Sequence, residues 1–325
     1  MKILDNFKKQ FDQGINIYLD EKIKLAEKID EKGSDLLKII KEFINNGGKR
    51  LRPSIFYYAL LSYSSQNPGK ILKLSFIFEL FHSFALIHDD IIDNSDLRRG
   101  EPTVHKKYNI SIAILAGDLA LMLVDEIFYQ EIIERKIIDL YNEFKQELLI
   151  GEYLDTIKID DISKIMELKT ARYTFVKPAL IALNLAKVNQ IEINKWGEVL
   201  REVGILFQIK DDYDGIFGDE KKIGKLTDTD IIDGKNTLII KKFLERSNEQ
   251  EKKRFYSFFG KLKLKEEDLI WFKKTLIKYK IDDEIKNKIA NESIKIENKL
   301  NLYFPDKLLT KLMKEIFIKI KDFKI

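Results

Sequence analysis

Apolar residues recur at helical spacing along nearly the whole chain of 325 residues, and this pattern sets the first predictions. A first helix is predicted around residues 15–29, and a second over 36–44, with Ser34 or Asp35 as its cap. No stretch shows a convincing hairpin or a strand–helix–strand alternation, and Gly and Pro fall mostly between the helical segments. The pattern predicts one all-α domain over residues 1–325, with about a dozen helices.

The middle and end of the chain continue in the same way. Residues 113–128 and 137–154 are predicted to form two buried helices, and residues 238–320 form amphipathic, Lys-rich helices suited to packing and solubility. Pro178 interrupts an apolar helical pattern, so we expect a kink that exposes carbonyl groups near Thr170 to Thr174. A purely structural kink fits the same pattern.

The sequence HDDIIDNSDLRRG, residues 88–100, closes the apolar run 74–87 and carries the first candidate chemistry. Asp89 and Asp93 share one face of a helix, about 6 Å apart along its axis, with Asp90 to the side. Arg98 and Arg99 follow in the same loop. Hard carboxylate ligands beside phosphate-binding arginines predict Mg²⁺ bridged to a phosphorylated ligand, and a solvated acidic helix end is the simpler alternative.

A second acidic stretch, FQIKDDYDGIFGDEKKIGK at residues 207–225, is predicted to close the apolar helix 199–209. Asp211 and Asp212 stand at the predicted helix end, and the cations Lys225 and Lys235 follow. Two helices that each end in aspartates predict a cluster of metal ions shared between them. A single acidic helix end could arise by chance.

The basic stretch NGGKRLRP, residues 46–53, brings Lys49, Arg50 and Arg52 to the start of a helix. Cations there oppose the helix dipole, so a bound anion would explain them, although a solvated basic turn is equally compatible. His82 lies two turns before Asp89, and His88 is either a donor beside the carboxylates or a core residue. Phe76, Phe78, Phe81 and Phe84 are expected in the core.

Composition and net charge exclude several classes of function and of structural site. The net charge of +4 argues against non-specific nucleic-acid binding, and the absence of cysteine excludes disulfides and Cys-ligated zinc. The first residues show no secretory signal, and the longest apolar run, residues 111–124, is too short for a transmembrane segment. A cytoplasmic location is expected.

Together these motifs, spread over residues 45–242, resemble the trans-isoprenyl diphosphate synthases of the polyprenyl synthetase family, and most closely the archaeal short-chain geranylgeranyl diphosphate synthases. The resemblance implies a helical bundle around a deep central cavity, a homodimer, and about three Mg²⁺ ions in the active site. It also implies a substrate pair of isopentenyl diphosphate and an allylic diphosphate.

The resemblance assigns roles to individual residues. Asp89, Asp93 and Asp211 would bind Mg²⁺ with support from Asp90. Binding of the allylic diphosphate would involve Arg98, Lys169, Lys225 and Lys235. Binding of isopentenyl diphosphate would involve Lys49, Arg52, His82 and Arg99. Thr170, Tyr173 and Gln208 would line the place where a carbocation forms. Two departures stand out, because Gly215 replaces the usual last aspartate of the second motif and Glu152 replaces a glutamine.

The implied reaction is Mg²⁺-assisted ionisation of dimethylallyl, geranyl or farnesyl diphosphate, condensation with isopentenyl diphosphate, and loss of a proton. Small Ala85 lies one turn below Asp89 and leaves room for a growing chain, with Phe84 beside it and Phe81 a turn deeper. The resemblance implies that these rings form the floor of the cavity, and it implies geranylgeranyl diphosphate as the main product and farnesyl diphosphate as the second. A class I terpene cyclase would not need the second cationic site. A non-catalytic regulatory subunit would be expected to lose an aspartate motif, and a plain helical interaction protein would have no use for these aspartates.

Overall fold

The structure is a computed structural model that describes residues 2–218, 229–261 and 264–323. In chain order its elements are α1 (Lys2–Glu27), a 3-10 turn (Lys32–Ser34), α2 (Asp35–Asn45), α3 (Leu51–Leu61), α4 (Pro68–Ile92), β1 (Leu97–Arg98), β2 (Glu101–Pro102), α5 (Val104–Lys107), α6 (Ile110–Glu131), α7 (Arg135–Thr156), α8 (Ile162–Met166), a π-helix (Glu167–Val176), α9 (Lys177–Leu185), α10 (Gln190–Phe217), α11 (Thr229–Ile232), α12 (Leu238–Arg246), α13 (Glu249–Tyr256), α14 (Glu266–Lys278), α15 (Ile281–Tyr303) and α16 (Leu308–Ile320). The predicted all-α class is confirmed. The residues group into two compact units, which we describe separately, and the single domain stays a prediction.

The first unit comprises Met1–Tyr141, Pro178–Ile193 and Asp306–Glu315, and it is built around α4. This helix packs against α1, α2, α3 and α6, because apolar residues occupy most of its circumference. The four phenylalanines expected in the core are buried. Helix α4 is long and apolar enough to cross a membrane, but its apolar stretch is mostly buried in protein, as in the core helix of a globular fold.

Helices α4 and α6 approach each other closely at a line of small residues. Ala113, Ala116 and Ala120 are fully buried on α6. A Cβ atom at Gly117 would lie 2.3 Å from Nε2 of His88, so only glycine leaves room for the imidazole there. His88 Nε2 also lies 3.3 Å from the carbonyl oxygen of Ile114. The last turns of α4 are therefore held in place by α6.

The second unit comprises Asn142–Lys177, Asn194–Pro305 and Ile316–Ile325. Its core includes Trp196 stacked on Phe304, with 3.8 Å separating the ring centroids. The irregularity expected before Pro178 takes the form of the π-helix, in which the N–H of Lys177 donates to the carbonyl of Arg172. A π-helix is rare and wider than an α-helix, and it is frequently found at functional sites.

Three local predictions are corrected. Ser34 is the N-cap residue of α2, but its hydroxyl donates to the carbonyl of Glu31 at 2.7 Å and does not cap the helix. A short hairpin exists, since β1 and β2 pair with Leu97 opposite Pro102. Helix α10 continues to Phe217, so Asp211 does not lie at its end.

Candidate active site

The end of α4 presents the first two predicted metal ligands. Asp93 is the C-cap residue, and its N–H donates to the carbonyl of Asp89 at 2.8 Å. The Asp93 side chain is exposed and that of Asp89 is a quarter exposed. Carboxylates at a helix C-terminus are destabilised by the helix dipole, so this end of α4 favours a bound cation.

Asp90 differs from its neighbours because it is buried and holds an arginine. Both of its carboxylate oxygens accept hydrogen bonds from Nε of Arg98 at 2.8 Å, and Nη2 of Arg98 lies 3.5 Å from Asp89. Burial raises the pKa of Asp90, and the guanidinium opposes that rise. Burial also lowers the pKa of Arg98, but its bonds to Asp90 raise the pKa above the ordinary value, so the guanidinium stays charged. Asp90 thus fixes Arg98 beside the other carboxylates.

The hairpin after α4 directs two consecutive arginines. Arg99 and Gly100 occupy its two-residue turn, with φ angles of +57° and +83°. Two positive φ angles are typical of the tight turn that matches the twist of a hairpin. The Thr103 hydroxyl donates to the carbonyl of Ser95 at 2.8 Å and closes the loop below the hairpin.

The stretch 46–53 builds a second group of cations in the same unit. Helix α3 begins at Leu51, so Arg52 lies in its first turn, whereas Lys49 lies in the loop before it. Arg50 is buried, and its guanidinium donates to Asp12 at 2.8 Å and to Glu79 at 2.5 Å. The protein itself therefore supplies the anion for Arg50.

Arg99 reaches the glycines of this turn from the hairpin. The carbonyl of Gly47 accepts a hydrogen bond from Nη1 of Arg99. A Cβ atom at Gly48 would lie 3.2 Å from Nη2 of Arg99, which is a tight contact. The φ angle of Gly48 is +134°, which side chains rarely allow, so both space and backbone conformation favour glycine here. Burial and the charges of Arg52 and Arg99 lower the pKa of His82 well below its usual value. His82 is therefore neutral at physiological pH and sits among fixed positive charges.

In the second unit, Lys169 is held by α7. Its ammonium lies 2.7 Å from Glu152 and 2.6 Å from Asp155. Burial lowers the pKa of Lys169, but these carboxylates raise it, and the pKa lies above its ordinary value. A Cβ atom at Gly151 would lie 3.0 Å from Cγ of Lys169, so the missing side chain lets the lysine stem lie against α7.

A chain of hydrogen bonds joins the π-helix to α10. The hydroxyl of Thr170 donates to Oε1 of Gln208, and Nε2 of Gln208 donates to buried Asp212 at 2.6 Å. Tyr173 is buried and stacks on Phe144, with 5.3 Å separating their ring centroids. The amide of Gln208 is thereby oriented, with its oxygen toward Thr170.

The carboxylates of the second acidic stretch serve different purposes. Asp211 is half-buried on α10, whereas Asp214 pairs with Lys210 at 2.5 Å one turn earlier. The hydroxyl of Tyr213 donates to Asp282 at 2.8 Å. Asp214, the neighbour of Gly215, is thus engaged by a lysine.

Comparison with known proteins settles the family. A family model described as polyprenyl synthetase matches residues 34–276. The chain belongs to the polyprenyl synthetase family. It is 31% identical over 274 residues to a short chain isoprenyl diphosphate synthase from Methanocaldococcus jannaschii, which covers 80% of each chain.

One further sequence and one solved structure resemble this polyprenyl synthetase. It is 38% identical over 248 residues to a geranylgeranyl diphosphate synthase from Saccharolobus solfataricus, covering 69% of this chain and 70% of the relative. The crystal structure of a geranylgeranyl pyrophosphate synthase from Corynebacterium glutamicum has the same fold, with a TM-score of 0.88 and 24% identity, and covers 98% of this chain and 99% of that one.

Within the polyprenyl synthetase, the described residues contain no group of three or more His, Asp or Glu side chains arranged to hold a metal ion. Mg²⁺ usually takes only one or two carboxylates and completes its shell with water and substrate phosphates, so a preformed cage is not needed. Lys235 lies in the loop before α12, 3.5 Å from Asp233, and Lys225 lies outside the described residues.

The residues expected to set product length lie on α4. Phe81 and Phe84 are buried and their ring centroids are 5.5 Å apart, while Ala85 is only half-buried. Phe84 also contacts the ring of His88 at 4.8 Å. His88 is a quarter exposed, and its Nε2 also lies 3.8 Å from Asp118, so both roles considered for it stay open.

Asp12, Glu79 and Gly117 support the candidate site and were missed in the sequence. None belongs to an acidic or basic cluster, so local sequence carries no signal for Asp12 or Glu79. The line of small residues on α6 could have marked Gly117 as a point of close helix approach, because glycine in a helix interior otherwise costs stability.

Proposed function

We propose that this polyprenyl synthetase is a short-chain prenyltransferase. It condenses isopentenyl diphosphate with dimethylallyl, geranyl or farnesyl diphosphate and releases mainly geranylgeranyl diphosphate, with farnesyl diphosphate as the second product. The observation that carries the proposal is the divergence of two consecutive arginines. Arg98 bonds to Asp90 at the acidic end of α4, while Arg99 bonds to Gly47 in the basic turn.

Arg98 is anchored beside the acidic residues of α4, and Arg99 is anchored in the basic turn. These separate positions support two diphosphate sites. A terpene cyclase acts on a single diphosphate and gives no reason for the second group. The allylic diphosphate is assigned to Arg98, Lys169, Lys225 and Lys235. Isopentenyl diphosphate is assigned to Lys49, Arg52, His82 and Arg99, where a neutral imidazole can donate one hydrogen bond among guanidinium groups.

The acidic residues suit Mg²⁺, because their donors are carboxylate oxygens and two of them lie at an otherwise unfavourable helix end. Asp89, Asp93 and Asp211 would hold the ions, with Asp90 as a support, and the number of ions is proposed to be about three. When bound, Mg²⁺ supplies positive charge that stabilises the departing diphosphate.

The protein's own residues account for the other requirements of the reaction. Arg98 and Lys169 neutralise the diphosphate as its negative charge grows. The oriented oxygens of Thr170 and Gln208 stabilise positive charge on the prenyl carbon, and buried Tyr173 helps to exclude water. The π-electrons of isopentenyl diphosphate form the new bond, and the departing diphosphate accepts the proton that is lost.

A homodimer is proposed from the outer face of α6. Large apolar side chains stand exposed there at heptad spacing, with Leu115 at 53%, Met122 at 67% and Tyr129 at 52% exposure. An apolar stripe of this kind is typical of an interaction surface. A Met122→Glu variant should run as a monomer in size-exclusion chromatography with light scattering. The long apolar helix α4 is a core helix, and we place the protein in the cytoplasm.

The function is tested with purified protein, radiolabelled isopentenyl diphosphate and farnesyl diphosphate, with products separated by chain length. Wild type should form geranylgeranyl diphosphate in a Mg²⁺-dependent reaction, and Asp89→Ala should lose about a thousandfold or more in turnover while remaining folded. Asp96→Ala removes an exposed carboxylate of the same loop that pairs with Lys106 at 2.9 Å, and it should behave as wild type.

Two results would contradict the proposal. One is near wild-type turnover by Asp89→Ala. The other is consumption of geranylgeranyl diphosphate without isopentenyl diphosphate, which would identify a cyclase.

A further inference from the structure

Arg50 joins three helices at the base of the basic turn. It is 2% exposed, and its guanidinium donates to Asp12 on α1, to Glu79 on α4, and to the carbonyl of Ile44 on α2 at 2.6 Å. A buried charge is tolerated only when it is paired and hydrogen-bonded, and these partners meet that condition. Arg50 is therefore a fixed element of the scaffold.

The guanidinium of Arg50 also contacts the turn at Gly47 and Gly48, to which Arg99 is hydrogen-bonded. Nη1 of Arg50 donates to the carbonyl of Gly47 at 3.0 Å, and Nη1 of Arg99 donates to that same oxygen. A Cβ atom at Gly48 would lie 2.8 Å from Nη1 of Arg50, so the backbone of the turn lies directly against it. Arg50 and Arg99 therefore share one hydrogen-bond acceptor, the carbonyl oxygen of Gly47, and the position of Arg99 depends on that of Arg50.

Asp12 fixes Arg50 from outside the family's sequence motifs. Its Oδ1 accepts from Nε of Arg50, while Oδ2 pairs with Lys8 one turn earlier on α1. The Asp12 side chain is 28% exposed, whereas that of Glu79 is 5% exposed. Asp12 is consequently the partner of Arg50 that can be altered without leaving a fully buried charge alone.

We propose that Asp12, on the N-terminal helix, is a positioning residue for the isopentenyl diphosphate site, acting through Arg50 and the Gly47 carbonyl on Arg99. This inference rests on the proposed function, because it assigns a substrate to Arg99. Without Asp12, Arg50 loses a charge-assisted bond, its guanidinium can rotate toward Glu79, and the shared carbonyl no longer holds Arg99 in one orientation. Binding of isopentenyl diphosphate weakens, while binding of the allylic diphosphate does not.

The experiment measures KM for each substrate with the full-length protein. Asp12→Ala should raise KM for isopentenyl diphosphate about five- to tenfold, the scale of a weakened charge-assisted bond, and leave KM for farnesyl diphosphate and kcat within about twofold. Asp12→Asn keeps an acceptor for Arg50 and should show a smaller rise. Asp20→Ala is the matched control, since Asp20 lies on the same helix and pairs with Lys41 at 2.5 Å, outside this network.

A double-mutant cycle with Arg99→Ala separates positioning from a general loss of structure. If Asp12 acts through Arg99, the double variant should have nearly the KM of Arg99→Ala, so the two effects are not multiplied. Multiplied effects, or equal rises in KM for both substrates, would overturn the role of Asp12. If Asp12→Ala does not fold, the cycle is measured with Asp12→Asn, whose smaller effect must vanish in the Arg99→Ala background.

The two proposals fail in different ways. An unchanged KM for isopentenyl diphosphate in Arg99→Ala, or absence of condensation by wild type, contradicts the proposed function and the inference with it. A raised KM in Arg99→Ala with an unchanged KM in Asp12→Ala contradicts only the inference.

Discussion

Substitution of Gly204 by alanine should damage both the stability and the chemistry of the second unit. Gly204 lies on α10 against the π-helix, where an added Cβ atom would be 2.4 Å from Cα of Ala171 and 2.9 Å from its Cβ. The 2.4 Å separation from Cα is about 1 Å shorter than an ordinary contact between two carbon atoms. Because the opposing atom belongs to the backbone, no side-chain rotation relieves the clash, and the two helices must separate.

The free-energy cost follows from two opposing effects. Overpacking of this kind destabilises by about 1–3 kcal/mol. Replacement of glycine by alanine within a helix stabilises by about 1 kcal/mol. A contact with backbone lies at the upper end of the first range, so we expect a net loss of about 2 kcal/mol in the free energy of unfolding.

Gly204→Ala should also lower turnover, and by more than its loss of folding free energy alone would cause. Thr170 immediately precedes Ala171, and Gln208 lies one turn after Gly204, so the Thr170–Gln208 hydrogen bond spans the same helix contact. Separation by about 1 Å breaks a hydrogen bond and can lower turnover by up to about a hundredfold.

The assay pairs urea unfolding with the condensation assay, both on Gly204→Ala and on Gly14→Ala. Gly14 also lies within a helix, but its added Cβ atom would meet ring and methyl atoms of Phe76 and Leu72 at 3.1 Å and 3.3 Å, which can shift. Gly14→Ala should be neutral to within about 1 kcal/mol. Equal stability and turnover of the two variants would refute the close approach of α10 and the π-helix.

Three further predictions concern other parts of the molecule. Glu152→Gln removes one of the two carboxylates that hold Lys169, so KM for the allylic diphosphate should fall about two- to fivefold in steady-state kinetics, and a rise would count against this role. Glu315 accepts the N–H groups of Ile3 and Leu4 at 3.0 Å and 3.1 Å; burial raises the pKa of Glu315, but these bonds outweigh it and lower the pKa below 4.5. Its stabilisation is therefore present at neutral pH and lost as pH falls through the lowered pKa, so Glu315→Gln should unfold more easily by about 1 kcal/mol near pH 7, and this difference from wild type should disappear as pH falls through that pKa. Phe84→Ala, or Phe81→Ala beneath it, should lengthen the products on chromatography, and unchanged lengths in both would exclude these rings as the floor.

Much of the fold was predictable because helical periodicity is a strong local signal. The acidic end of α4 was correctly placed, since Asp89 and Asp93 follow a long apolar run and glycine and proline come soon after. The end of α10 was misplaced, because Asp211 and Asp212 look like a terminus in sequence. In the structure Asp212 bonds to Gln208 and Asp214 to Lys210, which lets polar residues continue the helix.

Long-range partners explain the remaining errors. Arg50 looked like a ligand of an external anion, and only the fold reveals that Asp12 and Glu79, distant in sequence, surround it. The hairpin was missed because strands of two residues are too short to show alternation. The π-helix has no sequence signature beyond Pro178, which marks a disturbance without specifying its form.

The turn at Arg99 and Gly100 implies a constraint on how this loop can evolve. Arg98 lies on the strand and Arg99 in the turn, so the backbone directs their side chains to two different partners, Asp90 and the Gly47 carbonyl. Conservative exchanges in the surrounding loop leave that sorting intact. Insertion or deletion of a single residue would shift the register and send each guanidinium to the wrong place. Relatives of this protein should therefore vary here in composition but keep the loop length fixed.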